Sequence, residues 1–449
     1  MSKTIKIANG QGFWGDSIQA PIDLVKEGNI DYLTLDYLAE VTLSIMQKQK
    51  NKNSHKGYAY DFIEFLQQSH NDIIKNNIKI ITNAGGVNPI CCSLEVKKIL
   101  QNKNKNYKIG IISGDDILDN LDMLISNGAD FTNIDTGEKI DKILNNICSA
   151  NVYIDSFTIK EALDLGAQIV LAGRVTDPGL CLGPMLHEYS WNKKEYNKIA
   201  SGTLAGHIIE CGAQCTGGNH TKWNSIPDLT NIGYPIIDIK ENGDFLIKKN
   251  KNTGGIINRN TVAEQILYEM GNPKKYLSPD VTVDFTSFNL IDNFNDTVSI
   301  KSVQGSEPTD TYKVSISYFS GYKSSGQLTV SGPNAIEKAE YASQLVWNRL
   351  KINGCEYEES NTEFLGLSSC QKSLSIKPDV INEVVLRLSV KDVDKNKVKR
   401  FGKEIAPLIT NGPPGITGFS GGRPKVQEVI AFWPALIKKE FIKTNVTIL

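Results

Sequence analysis

Residues 202–219 place an imidazole, a carboxylate and a thiol within five positions, and a glycine-rich turn follows at once. The three side chains belong to His207, Glu210 and Cys211. An imidazole and a carboxylate this close can move protons, and a thiol can attack a carbonyl. Because a core needs only apolar volume, this mixture predicts a catalytic site. Backbone N–H groups of the turn are predicted to bind an anionic substrate, at Thr216, Gly217, Gly218 and Asn219.

The same stretch allows two other interpretations. On a helix, His207, Cys211 and Cys215 would lie on one stripe and could bind the zinc ion of a hydrolase. A hydrogen-bonded core histidine beside an inert buried thiol is the structural alternative. None of the eight cysteines forms a CxxC pair, which argues against a zinc ribbon. We predict no metal and no other cofactor.

Two carboxylates, Asp36 and Glu40, are a second pair of catalytic candidates. If residues 37–46 are helical, the two side chains lie one turn apart on one face. Burial could then separate their pKa values into those of an acid and a base. The structural alternative is an acid at a helix start followed by a surface glutamate.

Further loops combine glycine with amide or charged side chains and could bind an anion. Arg174 suits a bidentate clamp on a carboxylate or phosphate, and Asp177 is either a substrate contact or its structural ion partner. Plain turns, an N-cap at residue 16 and a subunit contact near residue 423 are the alternatives. The predicted binding residues are Asn9, Gly10, Asp16, Asn83, Gly85, Gly86, Asn88, Arg174, Asp177 and Arg423.

Short apolar runs alternate with amphipathic segments in residues 1–234, which is typical of an α/β Rossmann-like domain with a mostly parallel sheet flanked by helices. Ligands bind at the carboxyl ends of such strands, where the unusual loops fall. The predicted strands are residues 5–8, 32–36, 78–82, 108–112, 150–154 and 168–172. The predicted helices are residues 57–76, 92–102, 116–127, 137–146 and 158–166.

Residues 235–449 contain segments of antiparallel character and amphipathic helices, which predict an α+β region of ferredoxin-like type. Its Gly/Pro-rich loop, residues 411–424, is long enough to be an ordered lid or an interface. Two Asn-Lys tracts, residues 47–55 and 101–107, are predicted to be solvated loops. The other predicted elements are a hairpin at 235–248, helices at 260–271, 334–352 and 394–408, and a strand at 383–390.

The composition and charge of the chain argue against several classes of function. The formal net charge of −1 argues against a nucleic-acid binder, which would carry a basic face. No apolar run approaches the roughly 20 residues that span a bilayer, and the N-terminus lacks the pattern of a signal peptide. We expect a soluble cytoplasmic protein with reduced thiols and no membrane partner.

Several of these stretches together resemble the acyclic terpene utilisation family AtuA. The resemblance implies a role in the breakdown of branched acyl-CoA or carboxylic acids. It also implies a separate small subunit of ferredoxin-type fold as a partner, since longer relatives carry such a domain that this chain lacks. The shared stretches include IANGQGFWGDS, TNAGGVNP, LAGRVTDP, GHIIECGAQCTGGN and NGPPGITGFSGGRPKVQEVIAFWPALI, which span nearly the whole chain.

The prediction for function is a hydratase/dehydratase-type lyase that acts on a carboxylate or CoA thioester. A base would remove a proton α to a carbonyl, an acid would return one, and amide or guanidinium donors would stabilise the enolate-like oxygen. The alternative is a non-catalytic acyl-CoA-binding or scaffold subunit of a catabolic complex. The expected partners are a small anionic substrate and further copies of the chain in a homo-oligomer.

Overall fold

The computed structural model describes residues 3–101, 107–367, 369–370, 381–418 and 422–449. Parts of two predicted loops, residues 102–106 and 419–421, lie outside these ranges, as does the last residue of the predicted helix 92–102. The chain forms two compact units. Unit 1 consists of Met1–Ser317 and Phe432–Leu449, and unit 2 consists of Tyr318–Ala431.

Most of the strands are short. In chain order they are β1 (Thr4–Gln11), β2 (Tyr32–Leu35), β3 (Lys79–Thr82), β4 (Ile109–Ser113), β5 (Ile147–Val152), β6 (Ile169–Leu171), β7 (Ile236–Lys240), β8 (Phe245–Lys248), β9 (Tyr276–Leu277), β10 (Thr282–Asp284), β11 (Asn289–Asp292), β12 (Val298–Lys301), β13 (Gln304–Ser306), β14 (Thr311–Ser331), β15 (Glu359–Leu365), β16 (Glu383–Asp392), β17 (Ile416–Thr417), β18 (Gln427–Lys438) and β19 (Asn445–Ile448).

The helices vary more in length. They are α1 (Gln19–Glu27), α2 (Glu40–Lys52), α3 (Tyr60–Asn76), α4 (Pro89–Gln101), α5 (Leu121–Ser126), α6 (Phe157–Asp164), α7 (Gly179–Tyr189), α8 (Tyr196–Ile209), α9 (Arg259–Leu267), α10 (Ala335–Ile352), α11 (Lys395–Ile405) and α12 (Leu408–Asn411). None of the helices within the described ranges has both the length and the apolar character that a membrane crossing requires.

Unit 1 is built on a large mixed sheet of ten strands among the described residues. Five of them run parallel at its centre, in the order β1-β2-β3-β6-β4. β2 and β6 are buried along their whole length, as expected for strands covered on both faces. β19 adds an antiparallel strand beside β4, and β7, β8, β12 and β11 continue the sheet antiparallel beyond β1. A parallel arrangement therefore describes only the centre of the sheet.

The compact units do not follow the predicted division after residue 234. β7 begins at Ile236 and pairs with β1, so the chain beyond residue 234 returns to the same sheet. β5, which lies where a parallel strand was predicted, pairs with β14 instead.

Two local predictions in unit 1 were wrong. The α-helix predicted at residues 137–146 does not form. This segment contains 3₁₀ turns at Ile140–Lys142 and Leu144–Asn146, and β5 starts directly after the second turn. The predicted loop 47–55 is helical as far as Lys52, where α2 packs its buried face through Leu43 and Met46. Packing of that face outweighs the polar composition of its C-terminal end.

Unit 2 has its own hydrophobic core. Four strands of its sheet are paired in the order β15-β16-β14-β17. α10 confirms the helix predicted at 334–352, since its buried positions recur at the spacing of one helix face, at Ala335, Ala339, Ala342, Val346 and Leu350. These residues belong to a core cluster with Leu386 and Phe401 of the sheet and α11. The ferredoxin-like assignment stays a prediction.

Close packing at Gly206 gives a first testable expectation. A Cβ atom at this position would lie 2.5 Å from the carbonyl oxygen of Pro178. α8 can therefore pack this closely against Pro178 only because residue 206 has no side chain. Alanine improves helix propensity by about 1 kcal/mol, but the clash with backbone should dominate. We expect Gly206→Ala to lower the free energy of unfolding by about 1–3 kcal/mol in denaturant titrations.

Gly271→Ala is the control, since a Cβ atom there would have no heavy atom within 4 Å. It should change stability by less than about 0.5 kcal/mol. Equal stability of the two variants would mean that α8 does not pack this closely.

Candidate active site

The loops that follow the parallel strands meet at one edge of the sheet. Asp36 follows β2, Asn83 follows β3 and Arg174 follows β6. Asn83 Nδ2 donates to Asp36 Oδ1 at 2.6 Å, and Arg174 Nη1 donates to the backbone oxygen of Leu38 at 2.6 Å. The structure therefore brings together three predicted site residues that are distant in sequence.

A cavity of about 410 Å³, here called the main cavity, lies beside these loops in unit 1. Its volume falls in the range of about 300–1,000 Å³ that small-molecule sites occupy. Polar and charged side chains, among them Asp177, Glu210 and Lys313, line it together with aliphatic and aromatic ones. The lining residues are Ile134, Tyr153, Thr176, Asp177, His207, Glu210, Glu269, Tyr276, Leu277, Ser278, Pro279, Thr309, Thr311, Lys313 and Leu436.

The end of α8 brings the predicted acid–base residues to this cavity. α8 is buried on all sides from Ile199 to Ile209, so its last turn holds His207 inside the protein. Asn9 Nδ2 donates to the backbone oxygens of Ile209 and Glu210 at 2.6 and 2.8 Å. These are carbonyls that a helix end leaves without intrahelical partners. In the structure, Asn9 thus fixes the end of α8.

His207 and Glu210 are linked by a shared proton. The imidazole Nδ1 lies 3.0 Å from Glu210 Oε1, and Nε2 lies 3.3 Å from the backbone oxygen of Ile266. Because a carbonyl only accepts, Nε2 carries a hydrogen and donates it to Ile266. The contact between Nδ1 and Oε1 then requires a further proton, held by either the imidazole or the carboxyl. The pair can therefore store one proton beside the main cavity.

Burial and neighbouring charges set the proton affinity of this pair. Burial raises the pKa of Glu210 to about 7; His207 opposes this, while Asp177 and Asp36 add to it. Burial alone would lower the pKa of His207, but the charge and hydrogen bond of Glu210 outweigh it, so that the pKa is raised. A group with a pKa near 7 can act as both acid and base at neutral pH.

Aromatic rings enclose the imidazole. The ring centres of Tyr276 and Phe285 lie 5.5 and 5.4 Å from that of His207, and the two rings stack on each other at 4.7 Å. Gln265 Nε2 donates to the backbone oxygen of His207 at 3.2 Å. This apolar enclosure fixes the ring and strengthens its electrostatic coupling to Glu210.

Glu210 also borders a second, much smaller space. A cavity of about 10 Å³ behind it is large enough for about one water molecule at most and includes Asp36 and Asp177 in its lining. Glu210 Oε2 is buried and has no hydrogen-bond partner among the described residues. Both nitrogens of His207 are engaged, so Oε2 of Glu210 is the polar atom of the pair that has no partner among the described residues.

Arg174 is bound to protein partners. Its Nη2 donates to Asp177 Oδ1 at 2.6 Å, its backbone N–H donates to Asp115 at 2.7 Å, and its guanidinium lies 4.0 Å from the centre of the Tyr153 ring. The side chain is only 3% exposed and does not line the main cavity. This placement corresponds to the alternative in which Asp177 is the structural ion partner of Arg174.

Asp36 and Glu40 do not stack on one helix face, because α2 begins only at Glu40. Burial and Asp177 raise the pKa of Asp36 to about 6, against the opposing effects of Arg174 and Asn83. Burial would also raise the pKa of Glu40, but hydrogen bonding and nearby cations lower it to about 2. Glu40 is therefore a permanent carboxylate at neutral pH rather than a proton donor.

The surroundings of Cys211 do not favour its thiol as a nucleophile. Burial, together with the charge of Glu210, raises the pKa of its thiol to about 12. The thiolate that nucleophilic attack requires is therefore scarce at neutral pH. In the part of the chain that the structure describes, no three His, Cys, Asp or Glu side chains are grouped so as to hold a metal ion, so the possible zinc ligands His207, Cys211 and Cys215 do not form a site.

The remaining predicted binding residues lie outside the main cavity, and several of them form hydrogen bonds with nearby loops. Asp16 accepts from the backbone of Gly12 and from Tyr234, and Asn88 donates to the backbone oxygens of Ser54 and Lys56, between α2 and α3. The hydroxyl of Thr216 lies within hydrogen-bond distance of the backbone oxygens of Ala213 and Gly233, at 2.8 and 2.6 Å, and donates its single hydrogen to one of them. None of these residues is part of the main cavity lining, nor are Gly10, Gly85, Gly86, Gly217, Gly218 and Asn219, and Arg423 is exposed in unit 2.

Several residues that line the main cavity were not predicted from the sequence. Lys313, at the start of β14, lies 3.3 Å from Glu40 and 4.7 Å from the centre of the Tyr153 ring. Tyr153 donates to Glu40 at 2.7 Å. Tyr276 reaches His207 from a two-residue strand. Lys313 and Tyr276 lie in strands and Tyr153 directly follows β5, all without a local motif, so only the spatial arrangement identifies them.

Removing the carboxylate of the pair should change the titration of its partner. Without Glu210, burial would remain as the main influence on His207, so Glu210→Gln should move the pKa of the imidazole from above to below its ordinary value. The measurement is an NMR titration of the imidazole resonances. The imidazole resonances of His220, which pairs with Glu264 at 2.7 Å outside the main cavity, serve as the control and should have the same chemical shifts in the variant and in wild-type protein. An unmoved His207 resonance in the variant would contradict the pairing.

A family model described as Acyclic terpene utilisation family protein AtuA matches residues 5–448. No match was found among curated proteins, and none among solved structures.

Proposed function

The chain belongs to the acyclic terpene utilisation family AtuA, and we propose that it is an acid–base enzyme of that catabolism, a hydratase/dehydratase-type lyase for a carboxylate or CoA thioester. The family description supports the catabolic role. The reaction type is our own inference from the site. The observation that carries it is the proton-sharing pair of His207 and Glu210 at the wall of the main cavity.

Glu210 is the catalytic residue in this proposal. Its Oε2 has no partner among the described residues, and its pKa is raised to about 7 by burial, against the lowering effect of His207. The carboxylate would take the proton α to the substrate carbonyl, and the carboxylic acid would return a proton to the leaving hydroxyl or to carbon. His207 is a positioning residue, since it holds Oε1 and adjusts the charge of the carboxyl without a free nitrogen of its own.

Lys313 is the group best placed to recognise the anionic end of a substrate. It lines the main cavity, its side chain is 42% exposed, and its cation lies beside the Glu40 carboxylate at 3.3 Å. A substrate carboxylate or thioester oxygen near Lys313 would acquire enolate character during proton removal, and a nearby cation stabilises that charge. In this proposal Lys313 takes the role that the sequence had suggested for Arg174.

Solvent isotope exchange tests the proposal. Wild-type protein would be incubated in deuterated water with 2-enoic acids of four to ten carbons and with their CoA thioesters, and deuterium uptake followed by mass spectrometry. We expect substrate-dependent uptake at the α carbon. Glu210→Gln should abolish uptake, whereas Glu264→Gln, which alters the His–Glu pair outside the cavity, should retain it.

The alternative of a non-catalytic scaffold subunit has a distinct outcome in the same assay. A scaffold would give no exchange with any substrate, alone or with a small ferredoxin-fold subunit added, and would bind that subunit or an acyl-CoA tightly. That combination would overturn the proposal. Homo-oligomerisation is a separate expectation that sedimentation analysis can test.

The ferredoxin-like fold of unit 2 is also part of the proposal. It is supported by the element order β14-α10-β15-β16-α11-β17, with the short α12 inserted before β17, and by the strand order of the sheet. A βαββαβ succession is typical of that fold.

A further inference from the structure

A second cavity of about 380 Å³, here called the side cavity, adjoins the main cavity. Three residues line both cavities: Ile134, Thr311 and Leu436. A residue that contributes to both linings stands between them, so these side chains form a partition. The rest of the side cavity is lined by Gly128, Asp130, Thr132, Asn133, Lys438 and Phe441.

The partition is made mainly of aliphatic side chains that water can reach. Ile134 is 51% exposed and Leu436 is 43% exposed. Their exposed surface faces the two cavities and offers an apolar contact to a ligand that passes from one to the other. Burying such surface contributes about 0.8 kcal/mol per methylene. The partition therefore favours a ligand with an apolar chain.

Backbone hydrogen bonds hold the partition in place. The N–H of Ile134 donates to the backbone oxygen of Pro434 at 3.0 Å, which ties its loop to β18, the strand of Leu436. Trp433 Nε1 donates to the backbone oxygen of Phe131 at 2.9 Å. The backbone at the partition is thus held from both sides, by residues of the Ile134 loop and of β18.

We infer that the side cavity is a subsite for the apolar chain of the substrate, and that Ile134 and Leu436 determine the chain length that the protein accepts. This inference rests on the proposed function for the position of the reactive end, which would lie at Glu210 and Lys313. Each cavity alone is near the lower end of the volumes typical of ligand sites. A chain that crosses the partition would use both.

A homologous series of saturated carboxylates tests this inference without turnover. Binding of hexanoate, octanoate, decanoate and dodecanoate to the full chain would be measured by calorimetry. We expect Kd to fall about fourfold per added methylene up to the length at which the chain has crossed the partition and filled the side cavity. Ile134→Ala and Leu436→Ala should extend that length by two or more carbons, and Ile134→Phe should shorten it.

Ile291→Ala and Ile291→Phe are matched controls, because this isoleucine is 43% exposed and lines neither cavity. They should keep the wild-type length preference. The inference is overturned if the partition variants keep that preference too, or if wild-type protein binds none of the acids. A partition effect on binding without any deuterium exchange would retain the inference while rejecting the proposed reaction. Deuterium exchange together with an unchanged length preference in the partition variants would support the proposed reaction and reject the inference about the partition.

Discussion

Replacing His207 by glutamine is expected to lower kcat/KM by about 10²-fold at pH 7, at the lower end of the range for acid–base catalysis. His207 lowers the pKa of Glu210 against the raising effect of burial, Asp177 and Asp36. Without the imidazole, the pKa of Glu210 should rise above its wild-type value of about 7. The carboxylate base would then be scarce at neutral pH, and part of the activity should return as pH increases.

The pH dependence separates this role from simple structural damage. A variant that only folds poorly would lose activity at all pH values, whereas the proposed effect moves the acidic limb of the kcat/KM profile to higher pH. His220→Gln is the matched control, since His220 forms a similar pair with Glu264 away from the cavity. An unshifted profile in His207→Gln would remove His207 from the mechanism.

Replacing Arg174 by methionine is expected to cause the largest loss of stability, about 3–5 kcal/mol, because it removes a buried cation that pairs with Asp177 and lies near the buried carboxylate of Asp36. The guanidinium is almost fully buried and binds Asp177, the backbone of Leu38 and the face of Tyr153. Methionine fills similar volume but leaves the carbonyl oxygen of Leu38 without its donor. The free energy of unfolding in denaturant titrations is the measurement.

The loss at Arg174 should grow with pH. Asp36 has a folded-state pKa raised to about 6, so the folded protein holds a proton that the unfolded chain has released. Ionising Asp36 therefore costs stability as pH rises from about 4 to about 6. Without Arg174, which lowers this pKa, the cost should continue to higher pH, so the destabilisation should be greater at pH 8 than at pH 5.

A surface pair provides the control for Arg174. Arg387 binds Glu363 in a bidentate pair at 2.6 and 2.7 Å, but its side chain is 33% exposed. Arg387→Met should cost at most about 1 kcal/mol. Equal losses for the two arginines, or a loss at Arg174 that is independent of pH, would contradict the network of buried charges described here.

Local sequence patterns were sufficient to locate the edge of the sheet where the site lies. Polar loops after apolar strands placed Asp36, Asn83 and Arg174 together, since parallel strands end at one edge. The proximity of His207 and Glu210 followed from helical spacing, three residues apart. These predictions depended only on the order of strands and loops and on the spacing of residues within one short segment.

Other features depend on contacts between distant segments, which no local pattern records. The strands after residue 234 extend the first sheet because β7 pairs with β1. Lys313 enters the main cavity from β14, and Tyr276 reaches His207 from a strand of two residues. Arg174 was predicted to bind substrate, but residue type alone does not tell whether a buried guanidinium finds its partners within the protein.

A crystal structure of the Glu210→Gln variant with bound 2-octenoate would show whether Glu210 can act on a substrate. We expect the ligand in the main cavity, with its carboxylate beside Lys313 and its α carbon about 3–3.5 Å from the side chain at position 210, as a reactive complex requires. A ligand bound elsewhere, with no ligand in the main cavity, would exclude the proposed catalysis by Glu210.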